Sequence, residues 1–359
     1  IANTLPSLKL KEETKWLSEV ASQTLQQTLR NLDNAYTKFF NKVTSFPKFK
    51  NKFSDQSFNC PQGFSLNMDS LKLPKFKNSI CIVLHRPIKG EIKNVTISYN
   101  KSGRYFASFV CETHEAVPVK PVVSNAVGID LGLTSFAVLS DGTQIQNPRF
   151  GKTVEKQMAK LARRVSKKKL GSKNRQKAQL KLNRLHEKVS NRRTDFLHKA
   201  TTQIVRENQA DTICIESLNV VSMMKNRHLS KAIADVSWYE FSRQLKYKCE
   251  WYGKNLIQIG RFEPSSKTCN SCGQIQKNLT LKDRSFVCGC GHTQDRDLGA
   301  AINIKNFALI KVNAAPKDFR EESMESPKKK TRKCFVRAEK RKRDVEVENM
   351  NSDVRDIRS

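Results

Sequence analysis

Two closely set cysteine pairs constrain one segment of this chain more tightly than any other feature. Cys269-x-x-Cys272 and Cys288-x-Cys290 are separated by fifteen residues. Paired thiolates at such spacing suit one zinc ion held tetrahedrally, with each sulfur about 2.3 Å away. A segment this short cannot build a core of its own, so the ion would supply its folding energy. Four ligands leave no open position, which makes the zinc structural. The second pair is one residue shorter than the first, and His292 is an alternative to one of its thiolates. The other six cysteines (Cys60, Cys81, Cys111, Cys214, Cys249 and Cys334) are scattered singly. They read as small buried hydrophobes in a reducing, cytosolic setting.

Three acids flank this cluster in a fixed order, Asp130 and Glu216 before it and Asp297 after it. Asp130 sits in the strand-like run Val127–Gly132, between Gly128 and Gly132, and Ser135–Ser140 returns beside it before an Asp141-Gly142 turn. The glycines leave room for a bound backbone to approach. Glu216 ends the short strand that starts at Thr212, and Asp297 opens a helical run at Leu298. Carboxylates converging from such distant segments could share two magnesium ions about 4 Å apart, as in-line cleavage of a phosphodiester by a nuclease of the RNase H kind requires. Each acid alone has an ordinary reading, as a solvated strand end or a helix cap. Asp295 is an alternative third ligand; Asp297 is preferred because a side chain at a helix start can face the sheet.

The charge points to a polyanionic partner. Lysine and arginine number 66 against 34 acids, a net charge of +32, and counterion release from phosphates would make binding strong and salt-dependent. Residues 151–200 carry seventeen basic residues against three acids, yet keep helical apolar spacing at Met158, Leu161 and Val165 and again at Leu182, Leu185, Val189 and Phe196. Two basic helices joined near Gly171-Ser172 fit this pattern. No apolar run approaches the roughly eighteen residues of a membrane span. Upstream, Lys11 to Val43 reads as one helix. Short runs such as Ile80–Leu84, Val95–Tyr99 and Tyr105–Val110 read as a small β-sheet or barrel. Lys72, Lys75 and Lys77 around Phe76 either track a phosphate backbone or form a solvated strand face. Beyond Asn313 the chain is rich in Lys, Arg and Glu and reads as a disordered tail.

Taken together, Val127–Gly132, Ile215–Val220, Met223–Arg227, Trp251-Tyr252-Gly253, Pro264–Cys269 and Asp295-Arg296-Asp297 resemble the TnpB proteins of insertion sequences, compact relatives of type V CRISPR effectors. The resemblance runs from about Leu17 to Phe307. It implies an α/β plus β fold: an RNase H-like (RuvC) nuclease domain with an inserted zinc ribbon, preceded by a helical lobe and a small β-barrel (wedge) domain. The corresponding divisions are a helical recognition-lobe remnant at 1–45, the wedge barrel at 46–120, the first nuclease part at 121–266 with basic helices at 151–208, the ribbon at 267–293, the last nuclease part at 294–312 and the basic tail at 313–359. The resemblance further implies an RNA-guided DNA endonuclease, working as a monomer with a guide RNA from the transposon end on double-stranded target DNA. Asp130, Glu216 and Asp297 would be its magnesium ligands and Cys269, Cys272, Cys288 and Cys290 its zinc ligands. The alternatives are a nuclease-inactive RNA-guided DNA-binding protein and a transposition accessory acting without a guide. The resemblance leads one to expect a first strand and helix ahead of the segment that opens at Ile1, and the chain has Gly299 where the family usually has Asn.

Overall fold

The computed structural model describes residues 4–51, 55–116, 118–276, 278–280, 283–314 and 336–339. They form two compact units, one made of the chain up to Glu115 with the strand at 336–339, the other beginning at Ala116.

The first unit opens with α1 (Leu5–Leu10), a 3-10 segment at Glu12–Ser18 and α2 (Ser22–Phe40). The single helix expected over 11–43 is therefore divided. The division falls at Ala21, whose ψ of 129° separates the 3-10 segment from α2. Seven strands follow: β1 (Gln56–Cys60), β2 (Ser65–Asn67), β3 (Ser70–Lys72), β4 (Ile80–Cys81), β5 (Val83–Leu84), β6 (Glu91–Tyr99) and β7 (Tyr105–Glu112). They make two sheets around one core that contains Leu71, Leu73, Val95 and Phe109. β2, β3 and β4 form the smaller sheet; in the larger, β1, β6 and β7 are neighbours and Val336–Glu339 lies between β7 and β5. No pairing among the described residues joins β1 to β5, so the expected barrel is two sheets here. The tail expectation also changes. Val336–Glu339 pairs with both β7 and β5, because a strand edge with unpaired backbone groups gains hydrogen bonds from any extended segment that reaches it. The rest of that tail, from 315 on, lies outside the described residues.

The second unit is α/β. It contains β8 (Ala126–Leu131), β9 (Ser135–Leu139), β10 (Gln144–Gln146), α3 (Phe150–Ser166), α4 (Lys173–Thr202), β11 (Thr212–Ile215), α5 (Val220–Met223), α6 (Ser230–Val236), α7 (Trp238–Tyr252), β12 (Asn255–Gln258), β13 (Ser285–Val287), β14 (Thr293–Asp295) and α8 (Arg296–Ala314); the strand at 336–339 in the first unit is β15. The main sheet runs β10-β9-β8-β11-β12. β9 runs antiparallel to both its neighbours, β8 and β10, whereas β8, β11 and β12 run parallel. Tight turns serve the first set and helical crossovers the second. Val127, Ile129, Leu131, Ile213 and Ile215 face one way, into a core with Leu197, Phe241 and Leu245 of α4 and α7. Alternate residues face α8, where Cys214 packs with Ile304 and Ala308.

α3 and α4 join at Gly171, whose φ of +78° suits glycine, and Ser172 caps α4 by accepting from the Arg175 N–H. Asp235 fastens the pair to α6, accepting from the Gly151 N–H and from Arg193. None of the described helices is long and apolar enough to cross a membrane.

Gly128 sets how closely α8 lies on the sheet. A Cβ there would overlap the Ala301 carbonyl and stand 2.8 Å from the Lys305 nitrogen. Since both obstacles are backbone, Gly128→Ala is expected to destabilise the protein by about 3 kcal/mol, the upper range for overpacking. Chemical denaturation checks this; an unchanged midpoint would contradict the close docking.

Candidate active site

The strand period of two places Asp130 on the same face as Gly128, and Glu216 on the same face as Cys214. The parallel register sets Cys214 beside Gly128 and Ile215 beside Ile129, so Glu216 follows directly alongside Asp130. α8 lies across that face with Ala301 over Gly128. Asp297 is one helical turn before Ala301, about 6 Å along the helix, and Asp130 is two strand residues beyond Gly128, also about 6 Å. The three acids, distant in sequence, thus meet at the same end of the sheet.

Their electrostatics register the meeting. Burial first, and then the charges of Glu216 and Asp297, push the Asp130 carboxyl up to about 8 against the opposing charge of Arg296. Burial alone pushes Glu216 up to about 7. The trio is looser than the cysteine cluster. Among the described residues, ligand atoms lie mutually within 4.8 Å only in the four cysteines and in Glu91, Glu112 and His114. That second group already has its cation, since Lys93 pairs with Glu91 at 2.7 Å and with Glu112 at 3.2 Å.

Asp295 has a different task from Asp297. It is exposed, and its Oδ1 accepts from the N–H groups of Asp297 and Leu298 at 3.0 and 2.9 Å, which caps α8. Sequence reasoning missed Arg284. Its guanidinium stands 3.8 Å from Asp297 and donates to the Thr134 hydroxyl at 3.1 Å. The sequence signal was faint, one arginine just ahead of β13, because its partner in the β8–β9 turn is 150 positions away.

The cysteines fit a tetrahedral ion. Cys269 and Cys290 sulfurs are 3.8 Å apart and those of Cys272 and Cys288 are 3.6 Å apart; four sulfurs at zinc bond length form a tetrahedron with edges of about 3.8 Å. The shorter second knuckle reaches this geometry, with Gly291 at φ +88° turning the chain after Cys290 as Gly273 at +76° does after Cys272. His292 is not among the clustered ligands; its Nε2 meets the Gln294 side chain at 3.0 Å. This cluster could hold a zinc ion.

α3 and α4 enclose a groove of about 400 Å³. Leu185 and Val189 are buried within it, and Lys181, Arg184, Lys188 and Arg192 stand exposed at its edge. The four cations recur at three- and four-residue spacing, which gathers them on one face of α4.

The fold and site thus define an α/β protein that gathers three acids beside a four-cysteine ribbon. The family OrfB_IS605, described as "Probable transposase", matches residues 108–227, and the Cas12f1-like TNB domain matches 238–304, which includes the ribbon. A protein of Streptomyces pristinaespiralis, to which RNA-guided DNA endonuclease activity is ascribed, is 41% identical over 84% of this chain and 75% of its own length. InsQ of Escherichia coli, similarly described, is 35% identical over 85% of this chain and 79% of its own. The TnpB-like protein L770 of Acanthamoeba polyphaga mimivirus is 29% identical over 72% and 48%. A cryo-EM structure of a Cas12f1–sgRNA–target DNA complex superimposes with a TM-score of 0.49 at 15% identity, covering 79% of this chain and 70% of the other. The chain belongs to the TnpB family.

Two outcomes follow for the site. In magnesium-free buffer, the proton that folded Asp130 keeps and the unfolded chain releases stabilises the fold; this contribution is complete below about pH 4, ebbs as pH rises and is gone above about 8. Asp130→Asn, which is neutral throughout, is therefore expected to gain stability over the unmodified protein between pH 5 and pH 8 and to hold that gain at pH 9, as thermal melts will read. A constant difference across that range would contradict the burial of a charged Asp130. Cys269→Ser is expected to lower bound zinc and melting temperature together, as elemental analysis and calorimetry would register; undiminished zinc would remove Cys269 from the ligand set.

Proposed function

We propose that this protein is an RNA-guided DNA endonuclease that cuts phosphodiester bonds at Asp130, Glu216 and Asp297. One observation carries the reading: three acids from two parallel strands and a helix start come to one end of the sheet, where burial first, and the charges of Glu216 and Asp297 second, push Asp130 up to about 8. Buried carboxyls such as Asp130 and Glu216 gain from cationic ligands, and oxygen donors suit magnesium. Magnesium held by these three side chains would supply positive charge to the phosphate and activate a water for in-line attack. The endonuclease activity ascribed to the relatives supports the same reading.

The chain's own groups do the remaining work. Gly128 lets α8 approach so that Asp297 reaches the strand ends, and Asp295 fixes the first turn of that helix. Zinc on the four cysteines would fold the ribbon that precedes it. The basic face of α4 holds a nucleic-acid backbone through phosphates, while base pairing with a guide supplies sequence. In this reading the second unit is the RuvC-like nuclease, the strands of the first unit are the wedge, and its helices belong to the recognition lobe. The guide would derive from the transposon end and the target would be double-stranded DNA, bound by one protein chain with one RNA.

The test uses the protein copurified with its RNA. Asp130→Ala is expected to reduce magnesium-dependent cleavage of guide-matched DNA to background while RNA yield is unchanged, because a metal ligand is lost and the basic surface is kept. Cleavage by the variant at the unmodified rate would defeat the assignment, as would a protein that binds guide and target yet leaves DNA intact in magnesium.

A further inference from the structure

We infer that Gln294 fills the space left open at Gly299, ties both cysteine knuckles to the first turn of α8 and thereby positions Asp297. The inference rests on the reading of Asp297 as a metal ligand.

Gln294 is the middle residue of β14, the last strand of the ribbon, paired with Phe286. Its Oε1 accepts from Asn270 Nδ2 at 2.9 Å, a residue of the first knuckle. It also accepts, at 3.0 Å, from Nε2 of His292, which follows the second knuckle; an amide oxygen can only accept, so the proton lies on Nε2. The other end of the side chain lies against α8. A Cβ at Gly299 would fall 2.8 Å from Gln294 Cδ and closer still to Nε2. Only glycine at 299 leaves that seat free, although glycine is a poor helix former and its φ here is not one that demands glycine. β14 ends at Asp295 and α8 starts at Arg296 with no intervening loop. A side chain that holds residue 294 against both knuckles therefore also holds the direction in which Asp297, three residues on, leaves the ribbon. The departure from the family's usual Asn at 299 is thus met from the ribbon side.

The experiment titrates manganese(II) by electron paramagnetic resonance into the zinc-loaded full chain and its variants, with zinc stoichiometry measured in parallel. Gln294→Ala is expected to weaken manganese binding by about tenfold, within the range for groups that orient metal ligands, at unchanged zinc content. Gly299→Ala should produce a similar loss by expelling the Gln294 side chain, although helix propensity alone favours alanine. The double variant should be no weaker than Gln294→Ala, because the added methyl group then meets empty space, so the two losses do not add. Wild-type manganese affinity in Gln294→Ala, additive losses, or loss of zinc that accounts for the weaker binding would each overturn the inference while leaving the functional reading intact. Manganese binding that is unaffected by Asp130→Ala would instead overturn the functional reading and this inference with it.

Discussion

Burial of carboxylates at one end of a sheet is the constraint on which the rest of this structure depends. Asp130 and Glu216 lie on adjacent parallel strands and are both pushed upward by burial. Asp297 is brought to them by a helix that lies almost on the backbone of β8. Folding gains nothing from bringing like charges together in a low-dielectric place. The arrangement persists because the apolar face of the same sheet, built from Val127, Ile129, Ile213 and Ile215 against α4 and α7, is well buried. Stability is supplied on one face and chemistry is placed on the other.

The strand period explains how one sequence meets both demands. In β8 the odd positions Val127, Ile129 and Leu131 are core, while Gly128 and Asp130 look toward α8. In β11, Ile213 and Ile215 are core, and Cys214 and Glu216 take the other side. A register slip of one residue would bury both acids in the apolar core and drive the isoleucines into the close contact with α8.

Much of this was legible from local pattern. The alternation around Asp130, the Asp141-Gly142 turn and the Gly171 junction between basic helices all follow from short-range rules, and β8, β9, α3 and α4 fall where those rules put them. The cysteine spacing was legible for the same reason, since two knuckles are local objects. What the sequence withheld was long-range. The cap that Asp295 makes on α8 depends on which way a helix start is turned, and Arg284 reaches a turn far away in the chain. The pairing of Val336–Glu339 was also hidden, because the pattern around it is charged and carries no strong strand signal. The division of the expected helix falls at Ala21, a good helix former, so no residue type there marks a stop.

The ribbon acts as a brace for the site as well as a fold of its own, because its last strand passes directly into the helix that carries Asp297. The most direct test of the central claim is anomalous diffraction from crystals of the protein grown with manganese. The account predicts anomalous peaks bridged by the oxygens of Asp130, Glu216 and Asp297 together. Ordered manganese elsewhere, with those three side chains left without an ion, would contradict it.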